Sequence, residues 1–329
     1  MAGMVETAPA KLMLLDTASL YFRAFYGLPD SIRTPDGQPV NAVRGLLDFI
    51  ARLVTDHSPT QLAAGWDNDW RPQWRVDLLP SYKTHRVAPE VSAEQGSVVG
   101  AGGVGAETGV AEESPDGLSH QVPWIEETLT ALGIAIVGAD GYEADDVIGS
   151  LATQSQVPCD VVTGDRDLFQ LVDDAAGVRI LYTARGMSNL QVVDGAWVKA
   201  KYDIDARHYA DFAALRGDTS DGIPGVKGIG EKTAAGLVNR FGDLDQLIEA
   251  ALDPESGMTG TQRKRFDEAA DYLAVAGEVV RVRRDLDLGV QPGDLELPSA
   301  PADPDAFAEL TTRLGLGSSA ERVLKALAR

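Results

Sequence analysis

Short apolar runs that alternate with amphipathic stretches constrain the fold of residues 11 to 186. The runs typical of buried strands are LMLL (12–15), LAAGW (62–66), IAIV (134–137), DVVT (160–163) and RILY (179–182). Helix-like patterns lie between them, most clearly NAVRGLLDFIARLVTDH (41–57) and QVPWIEETLTALG (121–133). Strands that alternate with helices predict an α/β fold, in which a parallel sheet is covered by helices on both faces.

Changes in this pattern predict three regions. From about residue 191 the sequence becomes mostly helical, with Gly and Pro between the helix-like segments. We therefore expect an α/β domain at 11–190, a helical region at 191–290 and a C-terminal extension at 291–329. The first domain carries an insertion at about 80–122. Within it, residues 87–120 contain seven Gly and six acids but no Lys, Arg, Phe, Tyr or Trp, which predicts a mobile segment.

Composition excludes several classes of protein. The chain has 329 residues, 44% of them apolar, which is enough for a large core. It has no apolar run long enough to span a membrane, and its N-terminus lacks the pattern of a secretion signal. The single cysteine, Cys159, excludes an internal disulfide and a cysteine-rich zinc site. We therefore expect a cytoplasmic protein without a membrane partner.

The charge is strongly acidic, with 50 Asp and Glu against 29 Lys and Arg and a formal net charge of −21. A protein that binds nucleic acid usually shows a basic surface. However, phosphates respond to the local field, and divalent cations held by clustered acids reverse its sign. The positions of the acids therefore decide whether a nucleic acid is a plausible partner.

Acidic residues follow the predicted strands. Asp16 and Asp67 come after two of them, and Asp165 and Asp167 after a third. Parallel strands bring their carboxyl ends to one edge of the sheet, where such folds bind ligands. A predicted helix adds Glu143, Asp145 and Asp146 in its first turn, although acids also favour helix N-termini for electrostatic reasons alone.

Any one of these acids could be a helix cap or an ordinary loop residue. As a group they would repel strongly, because two carboxylates 4 Å apart repel by about 4 kcal/mol at an effective dielectric constant near 20. No run of Lys or Arg stands beside them in the sequence to offset this. Oxygen ligands without Cys or His favour Mg²⁺ or Mn²⁺, and a pair of such ions about 4 Å apart serves phosphodiester hydrolysis. Phosphoryl-transfer chemistry is therefore the leading prediction.

The segment GDTSDGIPGVKGIGEKTAAGLV (217–238) adds a second signal. Asp218 and Asp221 are three residues apart and precede a glycine-rich turn that leads into a helix. Glycines allow backbone N–H groups to approach a phosphate, and nearby lysines add charge. This pattern predicts a sequence-independent grip on a DNA backbone by Gly225, Lys227, Gly228, Gly230 and Lys232. An ordinary turn between two packed helices is the alternative.

Five ordered motifs carry a family resemblance: LLDTASLYFRAFYG, SYKTHR, GYEADDVIGSLA, VVTGDRDLFQLV and GDTSDGIPGVKGIGEKTAAGLV. Over residues 11 to 290 the chain resembles the bacterial 5′ nuclease family, namely stand-alone flap endonucleases and the 5′-3′ exonuclease domain of DNA polymerase I. The resemblance implies a PIN-like nuclease domain with an arch insertion. It also implies a helix-three-turn-helix DNA-binding region that often holds K⁺, and cleavage that leaves a 5′-phosphate.

The resemblance also implies roles for individual residues. The metal-binding acids of the family match Asp16, Asp67, Glu143, Asp145, Asp146, Asp165, Asp167, Asp218 and Asp221. Lys83 and Arg86 match the basic pair at the base of the arch, and we assign them to the scissile phosphate. Arg23 matches a DNA-binding basic residue. Phe22 stands where Tyr is usual, so it can stack on a base but cannot donate a hydrogen bond. Thr17 and Gly222 also depart from the family pattern, but neither change removes a carboxylate.

We therefore expect a 5′-3′ exonuclease or flap endonuclease of DNA replication and repair that uses two or more Mg²⁺ or Mn²⁺ ions. Its substrates would be DNA with 5′ flaps, nicks or recessed 5′ ends. We expect a stand-alone, nucleoid-associated monomer that is functionally linked to DNA polymerase I and ligase. Two alternatives stay open at this point: a non-catalytic, structure-specific DNA-binding scaffold, and a PIN-type ribonuclease.

Overall fold

The computed structural model describes residues 10–87, 115 and 117–328. Most of the insertion predicted to be mobile lies outside the described residues. In the described part of the chain the central element is a six-stranded sheet of order β3-β2-β1-β4-β5-β6. Its strands are β1 (Leu12–Asp16), β2 (Gln61–Gly65), β3 (Ala135–Val137), β4 (Cys159–Thr163), β5 (Val178–Tyr182) and β6 (Gln191–Val193).

The five strands predicted from apolar runs are all present and pair in parallel, which confirms the predicted α/β class. The sequence pattern did not predict β6, which pairs antiparallel with β5 at the edge of the sheet. Three residues are too few to show the alternation that identifies a strand.

Helices cover both faces of the sheet and form the region that follows it. Those before the last parallel strand are α1 (Thr17–Gly27), α2 (Asn41–His57), α3 (Gln73–Leu78), α4 (Gln121–Leu132) and α5 (Ala144–Gln154). Those after β6 are α6 (Gly195–Tyr202), α7 (Tyr209–Arg216), α8 (Glu231–Phe241), α9 (Leu244–Leu252), α10 (Gly260–Glu268), α11 (Ala270–Val280), α12 (Pro304–Leu314) and α13 (Ser318–Leu327).

Alternate residues of the strands build two cores. Leu12, Leu14 and Val161 point to the face packed against α5 and the helical region. Met13 and Leu15 point to the opposite face, against α1, α2 and α4. This two-residue period is what a sheet buried on both faces requires.

The C-terminal extension packs back onto the α/β domain. Val323 and Leu327 of α13 are buried in the same core as Leu46 of α2. On the surface of this contact, Arg322 donates two hydrogen bonds of 2.8 Å to Asp48 of α2. Among the described residues, no helix combines the length and apolarity needed to cross a membrane.

Candidate active site

Acidic side chains surround one cleft at the carboxyl ends of the parallel strands. The cleft has a volume of about 360 Å³. The acids that line it are Asp16, Asp67, Glu143, Asp145, Asp165 and Asp218. They end or follow three strands, begin one helix and lie on the loop after α7, so the fold brings together residues as far apart in sequence as Asp16 and Asp218.

Asp16 ends β1 and also caps α1. Its Oδ1 accepts the N–H of Ser19 at 3.1 Å, and its Oδ2 accepts the hydroxyl of Thr163 at 2.6 Å. The side chain is nearly inaccessible to water. Burial raises the pKa of Asp16 to about 7, with Asp67 and Asp165 adding to the increase and the Thr163 hydrogen bond opposing it.

Three more acids have a raised pKa. Burial raises the pKa of Asp145 well above its usual value, and the nearby charges of Asp16 and Asp165 raise it further. The pKa of Asp167 is raised in the same way by burial and then by Asp165. Burial also raises the pKa of Asp67, although Lys83 and the N–H of Ala144 oppose the change. These carboxylates repel one another, and too little positive charge lies near them to offset the free-energy cost of ionising them all.

Glu143, the residue that precedes α5, is in the opposite situation. Its carboxylate pairs with Arg75 and Lys83 and accepts the hydroxyl of Tyr82 at 2.7 Å. Burial alone would raise the pKa of Glu143, but the two cations and the hydrogen bonds outweigh it and hold the pKa below its usual range. Lys83 therefore lies at the cleft with its ammonium group beside an ionised carboxylate.

Asp146, Asp167 and Asp221 are predicted metal ligands that do not line the cleft, and Asp146 is the one that is completely buried. Its two oxygens accept hydrogen bonds of 2.7 and 2.8 Å from the Arg75 guanidinium. Its Oδ1 also accepts the N–H of Arg283 at 2.8 Å. In this arrangement Asp146 holds Arg75 rather than facing the other acids.

Arg75 was not among the candidates from the sequence. It lies in α3, is 3% exposed, and joins Glu143 to Asp146 while its guanidinium stacks 4.5 Å from the centre of the Trp74 ring. The one available signal was an arginine within the otherwise largely apolar segment QWRVDLL, since a buried arginine requires an acidic partner. That signal does not identify the acid with which Arg75 pairs.

Asp218 and Asp221 lie on the loop after α7. Asp218 accepts the N–H of Ser220 at 2.8 Å and lies 3.5 and 3.7 Å from Arg166 and Arg216. Burial would raise the pKa of Asp218, but the Ser220 hydrogen bonds and these arginines lower it.

Asp221 does not line the cleft directly, but it holds a residue that does. Its Oδ1 accepts a 2.6 Å hydrogen bond from Arg86, which lines the cleft. Its backbone carbonyl accepts the N–H of Lys83 at 2.9 Å. Burial raises the pKa of Asp221 despite the opposing charges of Lys83 and Arg86. The predicted basic pair is thus fixed to the predicted acids.

No run of Lys or Arg adjoins the acids in the sequence, but the fold brings bases beside part of the set. Arg75 and Lys83 offset Glu143, and Arg86, Arg166 and Arg216 offset the two acids of the loop after α7. These bases are distant in sequence from most of the acids they meet. Among the described residues, the predicted ligands that form no ion pair are fewer than expected: Asp16, Asp67, Asp145, Asp165 and Asp167.

This smaller group fits a hard divalent cation. Four of its members, Asp16, Asp67, Asp145 and Asp167, have raised pKa values, which shows that ionising these carboxylates without a cation is costly. All side-chain donors of the group are oxygens. Within the described residues, no three acidic, histidine or cysteine side chains close tightly around a single point. An open arrangement is compatible with Mg²⁺, which usually keeps several waters and takes its remaining ligands from a few carboxylates and a substrate phosphate.

The loop that was predicted to bind a DNA phosphate, residues 225–232, joins α7 to α8. The alternative prediction, an ordinary turn between two packed helices, is therefore also correct. Gly225 is buried, whereas Lys227, Gly228, Gly230 and Lys232 are exposed. A Cβ on Gly217 would lie 2.7 Å from the backbone nitrogen of Gly225, so the loop closes on itself through glycine. No side chain caps α8 at Gly230, which leaves its first N–H groups available for an anion.

Phe22 and Arg23 lie on α1, and Phe22 lines the cleft. Arg23 donates a 3.4 Å hydrogen bond to the carbonyl of Ala184, and its Nε is buried without a partner. The structure therefore places both predicted DNA contacts at or beside the acidic cleft.

Comparisons with known proteins agree with this arrangement. Residues 11–203 match the family described as 5′-3′ exonuclease, N-terminal resolvase-like domain, and residues 204–303 match 5′-3′ exonuclease, C-terminal SAM fold. A 5′-3′ exonuclease of Streptomyces coelicolor is 57% identical over 96% of this chain and 99% of its own length. DNA polymerase I of Mycobacterium bovis is 37% identical over 89% of this chain, which spans 29% of that protein.

A solved structure shows the same fold. The bacteriophage T5 flap endonuclease, in a pseudo-enzyme-product complex with DNA and metal ions, superposes with a TM-score of 0.59 at 18% identity, over 97% of this chain and 100% of that one. The two family matches together cover the sheet, the acidic cleft and the glycine-rich loop. The chain therefore belongs to the 5′-3′ exonuclease family and is an enzyme of that family.

Proposed function

We propose that this protein hydrolyses DNA phosphodiesters at the junction between a duplex and a displaced or recessed 5′ strand, with two or more Mg²⁺ or Mn²⁺ ions. The observation that supports the proposal best is that the cleft has an acidic part and a basic edge. One part consists of buried and half-buried carboxylates that form no ion pair among the described residues, and the edge beside it carries Lys83 and Arg86.

The five acids without an ion pair, Asp16, Asp67, Asp145, Asp165 and Asp167, would hold the ions, with Glu143 and Asp218 at the margin. Bound there, the ions would lower the pKa of a water and stabilise the attacking and leaving oxygens. Asp146 and Asp221 were also predicted as ligands. In the structure they hold Arg75 and Arg86, so we propose that they contribute through these arginines.

Lys83 and Arg86 would bind the scissile phosphate. Each is held in place by an acid, Glu143 for Lys83 and Asp221 for Arg86, so neither must be ordered when the substrate arrives. Charges that are already positioned stabilise a transition state more effectively than mobile ones. A phosphate would compete with these acids for the two cations.

The duplex would dock on the exposed part of the 225–232 loop. Lys227 and Lys232 would meet phosphates, and the N-terminus of α8 would add its free N–H groups. Contacts of this type read no bases, so the enzyme would recognise DNA structure rather than sequence. We propose that K⁺ binds in this glycine-rich loop.

The relatives support DNA as the substrate. The phage enzyme was crystallised with DNA and metal ions, and the catalytic core of Rad2, which has the same fold, was crystallised with a DNA substrate. We propose a role in replication and repair, as a cytoplasmic, nucleoid-associated monomer that works with DNA polymerase I and ligase.

Replacing both Asp165 and Asp167 with Asn tests this function. The double variant should lose Mg²⁺-dependent cleavage of a 5′-flap duplex and keep its affinity for that duplex in Ca²⁺. Asp56→Asn, which changes an exposed acid on α2, should cleave like the wild type. Undiminished cleavage by the double variant would contradict the site, and equal cleavage of an RNA flap would favour a ribonuclease instead.

A further inference from the structure

The loop at residues 80–84 carries Lys83, whose backbone has an unusual conformation. Its φ is 47° and its ψ is 21°, in the left-handed region that residues other than glycine rarely adopt. A residue in this region keeps its conformation only where the surrounding structure holds it. The contacts of Lys83 with Glu143 and Asp221 are made by its ammonium group and its backbone N–H, so the rest of the loop must be held by other residues.

Arg71, which lies just before α3, packs against this loop. Its Nε donates a 2.6 Å hydrogen bond to the carbonyl of Tyr82. Its Nη2 donates to the carbonyl of Pro80 at 3.3 Å and to the hydroxyl of Thr84 at 3.2 Å. These acceptors stand before and after Lys83 in the chain, so one rigid guanidinium fixes the loop on both sides of it.

The burial of Arg71 makes these hydrogen bonds necessary. The residue is 8% exposed, and a buried guanidinium that lacks hydrogen-bond partners loses the hydration of a full charge. Arg75, in the helix that follows, pairs with two acids. Arg71 instead donates to the neutral acceptors of one loop, so the positions of Arg71 and of the loop depend on each other.

The neighbouring residue, Trp70, contacts the other end of Lys83. Its carbonyl accepts a 3.3 Å hydrogen bond from the Nζ of Lys83, and both residues line the cleft. Arg71 is not among the described residues that line the cleft. The pair 70–71 therefore contacts the ammonium group of Lys83 directly and its backbone through the loop.

We propose that Arg71 is a positioning residue: it holds the 80–84 loop so that the ammonium group of Lys83 lies at the cleft before DNA binds. The inference rests on the proposed function, because it takes Lys83 as the group that binds the scissile phosphate. Its consequence is that Arg71 acts on the rate of the chemical step and not on the docking of the duplex at the 225–232 loop.

Arg71→Met tests this role, because methionine keeps much of the side-chain length and has no donors. In single-turnover cleavage of a 5′-flap duplex with Mg²⁺, the maximal rate should fall about tenfold or more, as expected for a displaced catalytic group. The affinity for the duplex in Ca²⁺ should stay within about twofold of the wild-type value. Arg71→Lys, which keeps a donor, should recover part of the rate. Arg52→Met, which changes an exposed arginine on α2, is the control.

A double-mutant cycle separates positioning from general damage to the fold. If Arg71 acts through Lys83, Arg71→Met should slow a Lys83→Ala enzyme by less than about twofold. An equal loss of rate with and without Lys83 would overturn the inference, and so would an unchanged rate of Arg71→Met itself.

Thr84→Val is the second variant if Arg71→Met does not fold, because it removes one of the acceptors from an exposed position. It should slow cleavage about threefold, as expected for one lost hydrogen bond, and should have no effect in the Lys83→Ala enzyme. Thr312→Val is its matched control, since the Thr312 hydroxyl donates to the carbonyl of Ala308 on the exposed surface of α12. A Thr84→Val enzyme as fast as this control would contradict the inference.

Hydrogen exchange separates this inference from the proposed function, because it requires neither DNA nor a metal ion. The N–H of Lys83 donates to the carbonyl of Asp221 at 2.9 Å, so the segment 80–87 should exchange faster in Arg71→Met while the strands stay protected. Unchanged exchange in this segment would show that Arg71 does not hold the loop. If the wild-type protein does not cleave the flap in Mg²⁺, the proposed function is wrong, and hydrogen exchange alone decides whether Arg71 holds the loop.

Discussion

Arg75 gives a sharp test of how the acidic cleft is held together. The residue is 3% exposed and lies between Glu143 and Asp146, which are 3% and 0% exposed. Replacing it with Met keeps most of the side-chain volume and removes the charge. Two buried carboxylates then lose a shared cation, and Asp146 loses two hydrogen bonds of 2.7 and 2.8 Å.

The expected cost is large because the remaining acids cannot reach water. Removing one partner of a buried ion pair typically costs about 3–5 kcal/mol of stability. We therefore expect Arg75→Met to lower the free energy of unfolding by about that amount at pH 7.5. Arg52→Met, which breaks an exposed pair with Asp56, should cost less than about 0.5 kcal/mol.

The loss should depend on pH in a definite direction. In the wild type the pKa of Glu143 lies below its usual value, so its ion pairs stabilise the fold above that usual value and less as the pH falls. Without Arg75 only Lys83 and the Tyr82 hydroxyl oppose the effect of burial, so the pKa of Glu143 should rise. Each unit of increase is about 1.4 kcal/mol of lost stability at neutral pH. The difference between variant and wild type should therefore shrink as the pH is lowered from 7.5 to 5.

Urea unfolding followed by circular dichroism at both pH values, in EDTA, measures this difference. A shift in the urea concentration at the midpoint of unfolding, with no change in the m value, would show that the stability of the folded state itself has changed. An equal loss at pH 7.5 and pH 5 would refute the electrostatic reasoning and leave only lost packing. A loss no larger than that of Arg52→Met would refute the buried ion pair itself.

Three further predictions follow from the site. Because burial raises the pKa of Asp16 to about 7, the metal-free protein should lose stability as the pH rises from about 4 towards 8. Mg²⁺ should therefore raise Tm more at pH 8 than at pH 6. An equal increase in Tm at the two pH values would contradict ion binding by Asp16. Gly222→Ala should lower both Tm and kcat, because its Cβ would lie 2.1 Å from the carbonyl oxygen of Ser81, in the loop that carries Lys83. Gly236→Ala is the control: it lies in α8 with open space around its Cβ, so it should raise stability by about 0.5–1 kcal/mol. Thermal melts and steady-state kinetics compare the two variants. Lys227→Ala should weaken duplex binding and reduce the slope of log K against log salt by about 1, and an unchanged slope in a salt titration would exclude a phosphate contact.

The sequence anticipated the residues of the cleft better than their arrangement. Asp16, Asp67 and Asp165 could be placed together because parallel strands end at one edge, a rule that requires no knowledge of side-chain contacts. The pairing of Asp146 with Arg75 could not be foreseen, because an acid in the first turn of a helix can face either the cleft or the core. The pairing of Arg75 with Glu143 was missed as well, because Arg75 approaches from another helix. The pairing of Arg166 and Arg216 with Asp218 was missed too, because it depends on how the loops fold.

The sequence alone determined the five parallel strands, the helix pattern and the supply of carboxylates, since hydrophobic periodicity and the positions of charged residues are local properties of the chain. Only the tertiary structure decided which acids keep an unbalanced charge and which are neutralised by an arginine or lysine. That outcome depends on distances of a few ångströms between residues far apart in sequence, and on burial, which sets how strongly each charge is felt.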